Sequence, residues 1–321
     1  MIHVLIAAEL KELLEQPPLP GFEIEWIPNT APTPRGPYVG AVPLLSRPFG
    51  ERELEGLPKL RVIANCAVGF DNIDLAAAAR HQVVVTNTPD VLTESTADLT
   101  WALLLAVARR LKEGSALVAE GRWSGWHPQQ LLGLELEGAT LGIVGAGRIG
   151  QAVGLRAVGF GMRVLYTDSR RRDAFELETG AIRESLETLL AESDVVTVHL
   201  PSNAQTRGMV NGSWFAMMRP GALLVNTARG DLIDEPALLE ALTAGRLGGA
   251  GLDVFPREPI VHEALIAHPR VVTLPHIGSA TTVTRRAMAE LAVQNVLEVL
   301  RGREPLTPVP LPTTGGEAAP R

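Results

Sequence analysis

The chain is short of several things, and each shortage removes a class of function. One cysteine, Cys66, stands among 321 residues. That excludes an intramolecular disulfide and fits a reducing compartment. Its flanks, Ala64-Asn65 and Ala67-Val68, hold no His or second Cys, so Cys66 reads as a small buried residue rather than a nucleophile, and no metal site is expected. No stretch reaches the ~18 uninterrupted apolar residues of a membrane helix. The apolar start at residues 2–8 has no basic flank and stops at Glu9, so no secretory signal is expected. Positive charge is also scarce: 29 Lys and Arg face 36 Asp and Glu, a net charge of −7. A nucleic-acid surface needs a concentrated basic stripe, and the one basic run, Arg170-Arg171-Arg172, is too short to make one. A cytoplasmic globular protein with neither membrane nor nucleic-acid partner is expected, and the length suits two domains.

What is present is glycine in a particular arrangement. Thr140-Leu-Gly-Ile-Val-Gly145-Ala-Gly147-Arg148-Ile149-Gly150 runs from an apolar strand pattern through Gly-x-Gly-x-x-Gly into a helical one. In that spacing Gly145 permits a tight turn out of the strand. Gly147 permits backbone to approach a pyrophosphate, and Gly150 permits close helix–sheet packing. The N-terminus of the helix then offers N–H groups and a partial positive charge to phosphate. Asp168 ends the next strand, 18 residues past Gly150, where a carboxylate accepts from ribose hydroxyls and repels a 2′-phosphate. NAD is favoured, with NADP left open by Ser169-Arg170-Arg171, which could hold a phosphate.

Along the chain, strands are expected at residues 2–7, 22–26 and 60–64 and at 83–85, with an apolar run at 42–45. A short helix is expected at 9–15, and another at 74–80 capped by Asp74. Prolines at 28, 32, 34 and 37 mark a loop. A long helix, apolar on nearly every side, is expected from 97 to 120, buried between domains or subunits. Further strands are expected at 163–166, 194–199, 222–226, 250–253 and 271–274, a helix after Asp234 and a final helix at 283–300. Residues 303–321 read as a disordered tail. Strands alternating with helices imply parallel sheets covered on both faces. Because the fingerprint normally marks the first strand of its domain, its position near residue 140 implies an inserted nucleotide domain. The chain would then build one domain, cross on the long helix and return on the last one, with a cleft between.

Three polar loops follow successive strands, the edge where open α/β sheets bind ligands. They carry Arg229 in Asn226-Thr227-Ala228-Arg229-Gly230, Glu258 in Asp253-Val-Phe-Pro-Arg-Glu258-Pro, and His276 in Pro275-His276-Ile-Gly-Ser279-Ala. Taken singly, each has a bland alternative as a surface Arg, an exposed Glu or a hydrogen-bonded loop His. Their shared topological position is what singles them out.

At these residues the chain resembles the D-isomer-specific 2-hydroxyacid dehydrogenase family, from about residue 60 to 300. The resemblance rests on Gly145–Gly150, Ser193-Asp-Val-Val-Thr-Val-His-Leu-Pro201, Met218-Arg-Pro-Gly-Ala-Leu-Leu-Val-Asn-Thr-Ala-Arg-Gly230, Gly249-Ala-Gly-Leu-Asp-Val-Phe255 and Pro275-His-Ile-Gly-Ser-Ala280. Asn65-Cys-Ala-Val68-Gly69-Phe-Asp-Asn-Ile-Asp74 matches the family's substrate loop, and with the His-Ile-Gly-Ser-Ala form it is most similar to glyoxylate/hydroxypyruvate reductases. The resemblance implies two Rossmann-like/flavodoxin-like α/β domains with parallel sheets. The NAD(P)-binding domain (97–280) is then inserted into a discontinuous substrate-binding domain (1–96 and 281–321). It implies that the backbone N–H groups of Val68 and Gly69 hold the substrate carboxylate, with Leu45 as a specificity residue. Thr96, Arg148, Ile149, His199, Thr227, Ala228, Asp253 and Ser279 fall at cofactor-contacting positions, Asp253 at the nicotinamide carboxamide. It further implies a homodimer through about 97–126.

The implied reaction is reduction of a small 2-oxo acid to its D-2-hydroxy acid by NAD(P)H. Arg229 would fix the carboxylate and polarise the 2-oxo group. His276, favoured as imidazolium by Glu258, would give the proton. Departures are few: Gln82 replaces a usual glycine, Pro256-Arg257 replaces a more acidic pair, and the segment holding Leu45 is atypical. The alternatives are a D-3-phosphoglycerate dehydrogenase-like enzyme and a dinucleotide-responsive corepressor-like regulator without turnover. Formate dehydrogenase-like chemistry is disfavoured by the presence of Glu258.

Overall fold

Two parallel sheets organise the computed structural model, which describes residues 3–15, 18–19 and 21–312. Each is the centre of a separate compact unit: Met1–Leu92 with Ser279–Arg321 (unit 1), and Thr93–Gly278 (unit 2).

In unit 1 the strands are β1 (His3–Ala7), β2 (Glu23–Ile27), β3 (Tyr38–Val42), β4 (Val62–Ala64) and β5 (Val84–Thr86). They pair in the order β2-β1-β3-β4-β5, all parallel. Parallel pairing requires crossovers that cover both faces. These include α1 (Glu51–Glu55) and α2 (Leu75–Arg80), and the long helix Thr282–Leu300, which is not a crossover, also packs on β3, β4 and β5. The sheet is correspondingly apolar, with Val4, Ile6, Val62 and Ile63 fully buried. Asp74 caps α2, its carboxylate accepting from the Ala77 N–H at 2.9 Å, a contact worth ~1 kcal/mol.

Several expectations for unit 1 change. The helix expected at 9–15 is only a 3₁₀ turn at Ala8–Leu10, since so short a segment cannot repay helix nucleation. The apolar run at 42–45 is not a strand of its own. Only Val42 is in a strand, as the last residue of β3, because Pro43 has no N–H for the ladder. Gln82 adopts φ +57°, which accounts for glycine being usual there. The stretch read as a disordered tail is ordered as far as residue 312. Val309 is buried and donates to Val85 O at 2.8 Å. Thr307 donates to Asn87 O at 2.6 Å and accepts from Asn295 at 2.8 Å. Residues 313–321 lie outside the described part.

Unit 2 begins with α3 (Thr93–Ala108) and α4 (Leu111–Ala119). The alternation then runs β6 (Thr140–Val144), α5 (Arg148–Gly159), β7 (Arg163–Thr167), α6 (Asp173–Thr179), β8 (Ile182–Arg183), α7 (Leu186–Glu192) and β9 (Val195–Val198). It ends with α8 (Gly212–Met217), β10 (Ala222–Asn226), α9 (Glu235–Thr243), β11 (Leu247–Leu252), α10 (Glu263–Ala267) and β12 (Val271–Thr273). Every pairing is parallel, in the order β12-β11-β10-β9-β6-β7-β8. Sequential order reverses between β6 and β9, the switch point at which open α/β sheets receive ligands.

The single helix expected over 97–120 is two. Arg110 turns left-handed at φ +52° and bonds Glu113 at 2.6 and 2.8 Å. The apolar circumference of α3 is largely used inside unit 2, against α5, β10 and β11. Trp101 stacks on Phe160 at 4.3 Å and donates to Val153 O at 3.0 Å. On the sheet side the approach is close because β11 carries glycine: a Cβ on Gly249 would lie 2.7 Å from the Val107 side chain. In contrast, α4 buries no residue. Among the described residues no helix is long and apolar enough to cross a membrane.

Candidate active site

The glycine fingerprint sits where β6 becomes α5. Gly145 has φ +94°, and a Cβ there would lie 2.7 Å from His199 O. A Cβ on Gly150 would lie 2.2 Å from Gly145 O. Both are thus required by the protein's own packing. Gly147, the N-cap of α5, is different: a Cβ there would meet nothing within 4 Å. Its missing side chain opens space toward the helix N-terminus, where N–H groups and the helix dipole favour an anion. Arg148 and Ile149 begin that helix.

Asp168 follows β7 and accepts from the Arg170 N–H at 3.0 Å and from the Arg172 guanidinium at 3.2 Å on each oxygen. Burial pushes its pKa up, but these donors outweigh it, so the carboxyl lies below its ordinary value. Its negative charge is therefore partly neutralised by Arg172, which sequence reasoning did not single out. His199 follows β9. Burial pushes its imidazole down to about 4, so the ring is neutral near pH 7. Its Nε2 is buried with no protein partner. An orphan polar atom, a glycine-made opening and a helix N-terminus at one switch point fit a bound dinucleotide.

The loops after β10 and β11 are pinned by strand-end side chains. Asn226 is fully buried. Its Oδ1 accepts from the Ala228 N–H at 3.0 Å and its Nδ2 donates to Arg229 O at 2.8 Å. Thr227 pairs with Thr100 at 2.8 Å, and Thr100 donates to Thr96 O at 2.8 Å, tying the loop to α3. Gly230 touches the next loop so closely that a Cβ would lie 2.0 Å from the Phe255 carbonyl carbon.

Across that contact lies Glu258. Its Oε1 accepts from the Phe255 N–H at 3.0 Å and its Oε2 is 2.8 Å from His276 Nδ1. Burial pushes the Glu258 pKa up. The bonds from His276 and Phe255, with the positive charge of Arg229, outweigh burial and leave it below its ordinary value. An ionised carboxylate only accepts, so Nδ1 must carry hydrogen, and Nε2 is the nitrogen left for chemistry.

His276 itself stands at φ +54°, a conformation uncommon for any residue but glycine. Asp253 holds it there. The Asp253 carbonyl accepts from the His276 N–H, and its two carboxylate oxygens accept from Ile277 and Gly278, all at 2.8 Å. Asp253 is fully buried, and burial raises its pKa despite those donors. The residue that the resemblance assigns to a nicotinamide contact thus spends both oxygens on the His276 loop.

In unit 1, Leu45 follows β3 and is 36% exposed. Val68 and Gly69 lie in the loop after β4, their carbonyls accepting from Asn87 at 2.7 Å and Asn65 at 2.8 Å. Ser279 opens the second stretch of unit 1, and its carbonyl accepts from the Thr281 N–H at 2.8 Å. The supporting residues Asn65 and Asn226 were missed from sequence. Their signal was available: a lone amide ending an apolar strand.

Replacing Asp253 with Asn would turn one acceptor into a donor facing a buried N–H. The expected cost is ~1–3 kcal/mol, read by chemical denaturation. A variant as stable as the parent would contradict this role.

The family model for the D-isomer specific 2-hydroxyacid dehydrogenase NAD binding domain matches residues 101–278. A glyoxylate reductase of Thermococcus litoralis is 46% identical over 296 residues, spanning 88% of this chain and 89% of that one. Among solved structures, a protein of Thermus thermophilus matches with TM-score 0.86 at 45% identity, over 96% of this chain and 100% of that chain. An NADPH-dependent glyoxylate/hydroxypyruvate reductase of Sinorhizobium meliloti, solved with NADP and malonate, matches with TM-score 0.86 at 35% identity, over 96% of each chain. The fingerprint at the switch point and these similarities agree: the chain belongs to the D-isomer specific 2-hydroxyacid dehydrogenase family, oxidoreductases that use NAD or NADP.

Proposed function

We propose that this enzyme reduces glyoxylate or hydroxypyruvate to the corresponding D-2-hydroxy acid, with unit 2 holding NAD(P)H and unit 1 binding substrate. The observation that carries the reading is the 2.8 Å Glu258–His276 pair with the charge of Arg229 acting on it. Such a set suits a substrate that is both a carboxylate and a carbonyl. The similarity to glyoxylate reductases favours this over the phosphoglycerate dehydrogenase-like and regulator readings.

The α5 N-terminus at Gly147, Arg148 and Ile149 would hold the pyrophosphate, and Asp168 the adenosine ribose. Thr96, Thr227, Ala228, Asp253 and Ser279 are further candidate contacts, and His199 offers its unpartnered nitrogen. Asp168 favours NAD, while its pairing with Arg172 keeps that preference modest. When bound, the reduced nicotinamide supplies the hydride.

The residues of the chain do the rest. Arg229 binds the substrate carboxylate through its planar fork and draws electron density from the 2-oxo oxygen. On unit 1, the Val68 and Gly69 N–H groups are the donors offered to a substrate carboxylate, and Leu45 limits the size of the substituent on C2. His276 Nε2 donates its proton to the carbonyl oxygen as the C2–O group is reduced, and takes it back in the oxidation direction. Glu258 stays ionised and stabilises the imidazolium through Nδ1. A cytoplasmic setting suits the single buried thiol.

Assembly as a homodimer through about 97–126 is part of the reading. What supports it is the apolar surface of α4 and the arm after it, with Leu111 55%, Trp123 56% and Trp126 84% exposed.

A panel of glyoxylate, hydroxypyruvate, pyruvate and 3-phosphohydroxypyruvate with NADH and NADPH tests the activity. Glyoxylate and hydroxypyruvate should turn over best. His276→Ala should lose about 10²–10⁴-fold in kcat with NADH affinity kept, and near-normal glyoxylate reduction by it would overturn the assignment. Sedimentation should give about twice the 34.3 kDa chain mass, and Trp126→Glu should shift it toward monomer; a parent protein that sediments as a monomer would remove the dimer.

A further inference from the structure

Two loops of unit 1 are joined by a pair of asparagines that no catalytic role absorbs. Asn65, at the end of β4, is fully buried. Its Nδ2 donates to Gly69 O at 2.8 Å and to Asn72 Oδ1 at 3.1 Å. Asn72 Nδ2 donates back to Asn65 Oδ1 at 3.1 Å and on to Arg47 O at 2.8 Å. An amide carries two hydrogens and one acceptor oxygen. In this orientation all of them are used, leaving only a long 3.4 Å contact from Asn72 to Leu44 O. Turning either amide over would set oxygen against a carbonyl oxygen.

The carbonyls that result are all held from behind. Ala67 O accepts from the Thr88 N–H at 2.9 Å, Val68 O from Asn87 at 2.7 Å and Gly69 O from Asn65. In a planar trans peptide the N–H points opposite to the preceding C=O. Fixing Ala67 O and Val68 O therefore fixes the directions of the Val68 and Gly69 N–H groups, and Asn65 fixes the far end of the same turn.

The second loop is as constrained. Arg47 is only 4% exposed, and its guanidinium donates to Pro28 O, Ala31 O and Thr33 Oγ1 at 2.5, 2.9 and 3.1 Å. Leu45 thus sits two residues before Arg47, which is tied through its side chain to the proline-rich segment and through its carbonyl to Asn72.

We propose that the reciprocal Asn65–Asn72 amide pair is a positioning device for substrate recognition: by tying Gly69 O to Arg47 O it keeps the turn that presents the Val68 and Gly69 N–H groups, themselves aimed by Thr88 and Asn87, in fixed register with Leu45, which limits the rest of the substrate. The proposal rests on the reading that Val68 and Gly69 bind the substrate carboxylate. Neither asparagine touches substrate or changes protonation. They act through the loop backbone.

The test is Asn72→Asp, nearly the same shape but with no donor, so that one oxygen still accepts from Asn65 Nδ2 while the other faces Arg47 O and Asn65 Oδ1. Asn72→Ser serves as a milder second variant. The parent and variants are compared for glyoxylate KM and kcat at saturating NADH, for NADH affinity, and for amide exchange across residues 65–72. Loss of such bonds should raise KM about tenfold in Asn72→Asp and less in Asn72→Ser, with kcat and NADH affinity nearly kept and exchange faster at Cys66, whose N–H bonds Pro43 O across the two loops at 3.0 Å. Asn65→Ala and Asn72→Ala together should cost less than the sum of each alone, as for two parts of one unit. Lower thermal stability with unchanged KM would overturn the proposal and leave the pair a packing feature. If the parent itself reduces none of the 2-oxo acids, the functional reading fails. The exchange measurement then decides the clamp alone: faster exchange supports it and unchanged exchange overturns it.

Discussion

A carboxylate shut away from solvent holds the loop that carries His276. Burying Asp253 costs free energy unless every lone pair in reach finds a donor, and the donors it finds are the backbone N–H groups of Ile277 and Gly278. That requirement fixes the unusual left-handed turn at His276 and so aims the ring at Glu258. Nothing local to Pro275-His276-Ile277 would select this conformation. It is dictated by a side chain one strand away.

The same arrangement recurs. Asn226 ends β10 and spends its amide on Ala228 and Arg229, and Asn65 follows β4 and spends its amide on Gly69 and Asn72. In each case an apolar strand ends in one buried polar group, and the loop beyond takes its shape from satisfying that group. Parallel sheets place such ends side by side, so loops distant in sequence become fixed relative to one another within a unit. Glycine supplies the remaining tolerance. Gly230 lets the Arg229 loop press onto Phe255, and Gly145 and Gly150 let β6 and α5 meet, while Gly147 of the three fingerprint glycines faces open space. One fingerprint thus mixes two demands, packing inside the protein and access from outside it.

Much of this was legible in the sequence wherever the cause is local. The apolar strands, the fingerprint, the cap at Asp74 and the position of Arg229, Glu258 and His276 just beyond strands all follow from neighbours in the chain. What was not legible depends on partners far away. The ordered stretch to residue 312 has the composition of a loose tail, and it is held by bonds from Thr307 and Val309 to Asn87, Asn295 and Val85. The break at Arg110 carries no glycine or proline to announce it. Helices α6, α8 and α10 are too short for a period to show. Buried Arg47 and the Arg172 partner of Asp168 read as surface charges until the acceptors around them are known.

In the proposed reaction Glu258, a carboxylate that stays ionised, holds His276 at 2.8 Å, and His276 passes one proton to and from the substrate oxygen while Arg229 binds the carboxylate. The pH dependence of kcat/KM, measured for hydroxypyruvate reduction and for D-glycerate oxidation, tests this most directly. One ionisation should govern both directions with opposite sign: reduction lost as pH rises through it, oxidation lost as pH falls through it. Glu258→Gln should lower kcat/KM for reduction about tenfold or more, because the ionised acceptor 2.8 Å from His276 Nδ1 is gone. The same sign in both directions, or a Glu258→Gln variant as active as the parent, would contradict the assignment of His276 as the proton donor.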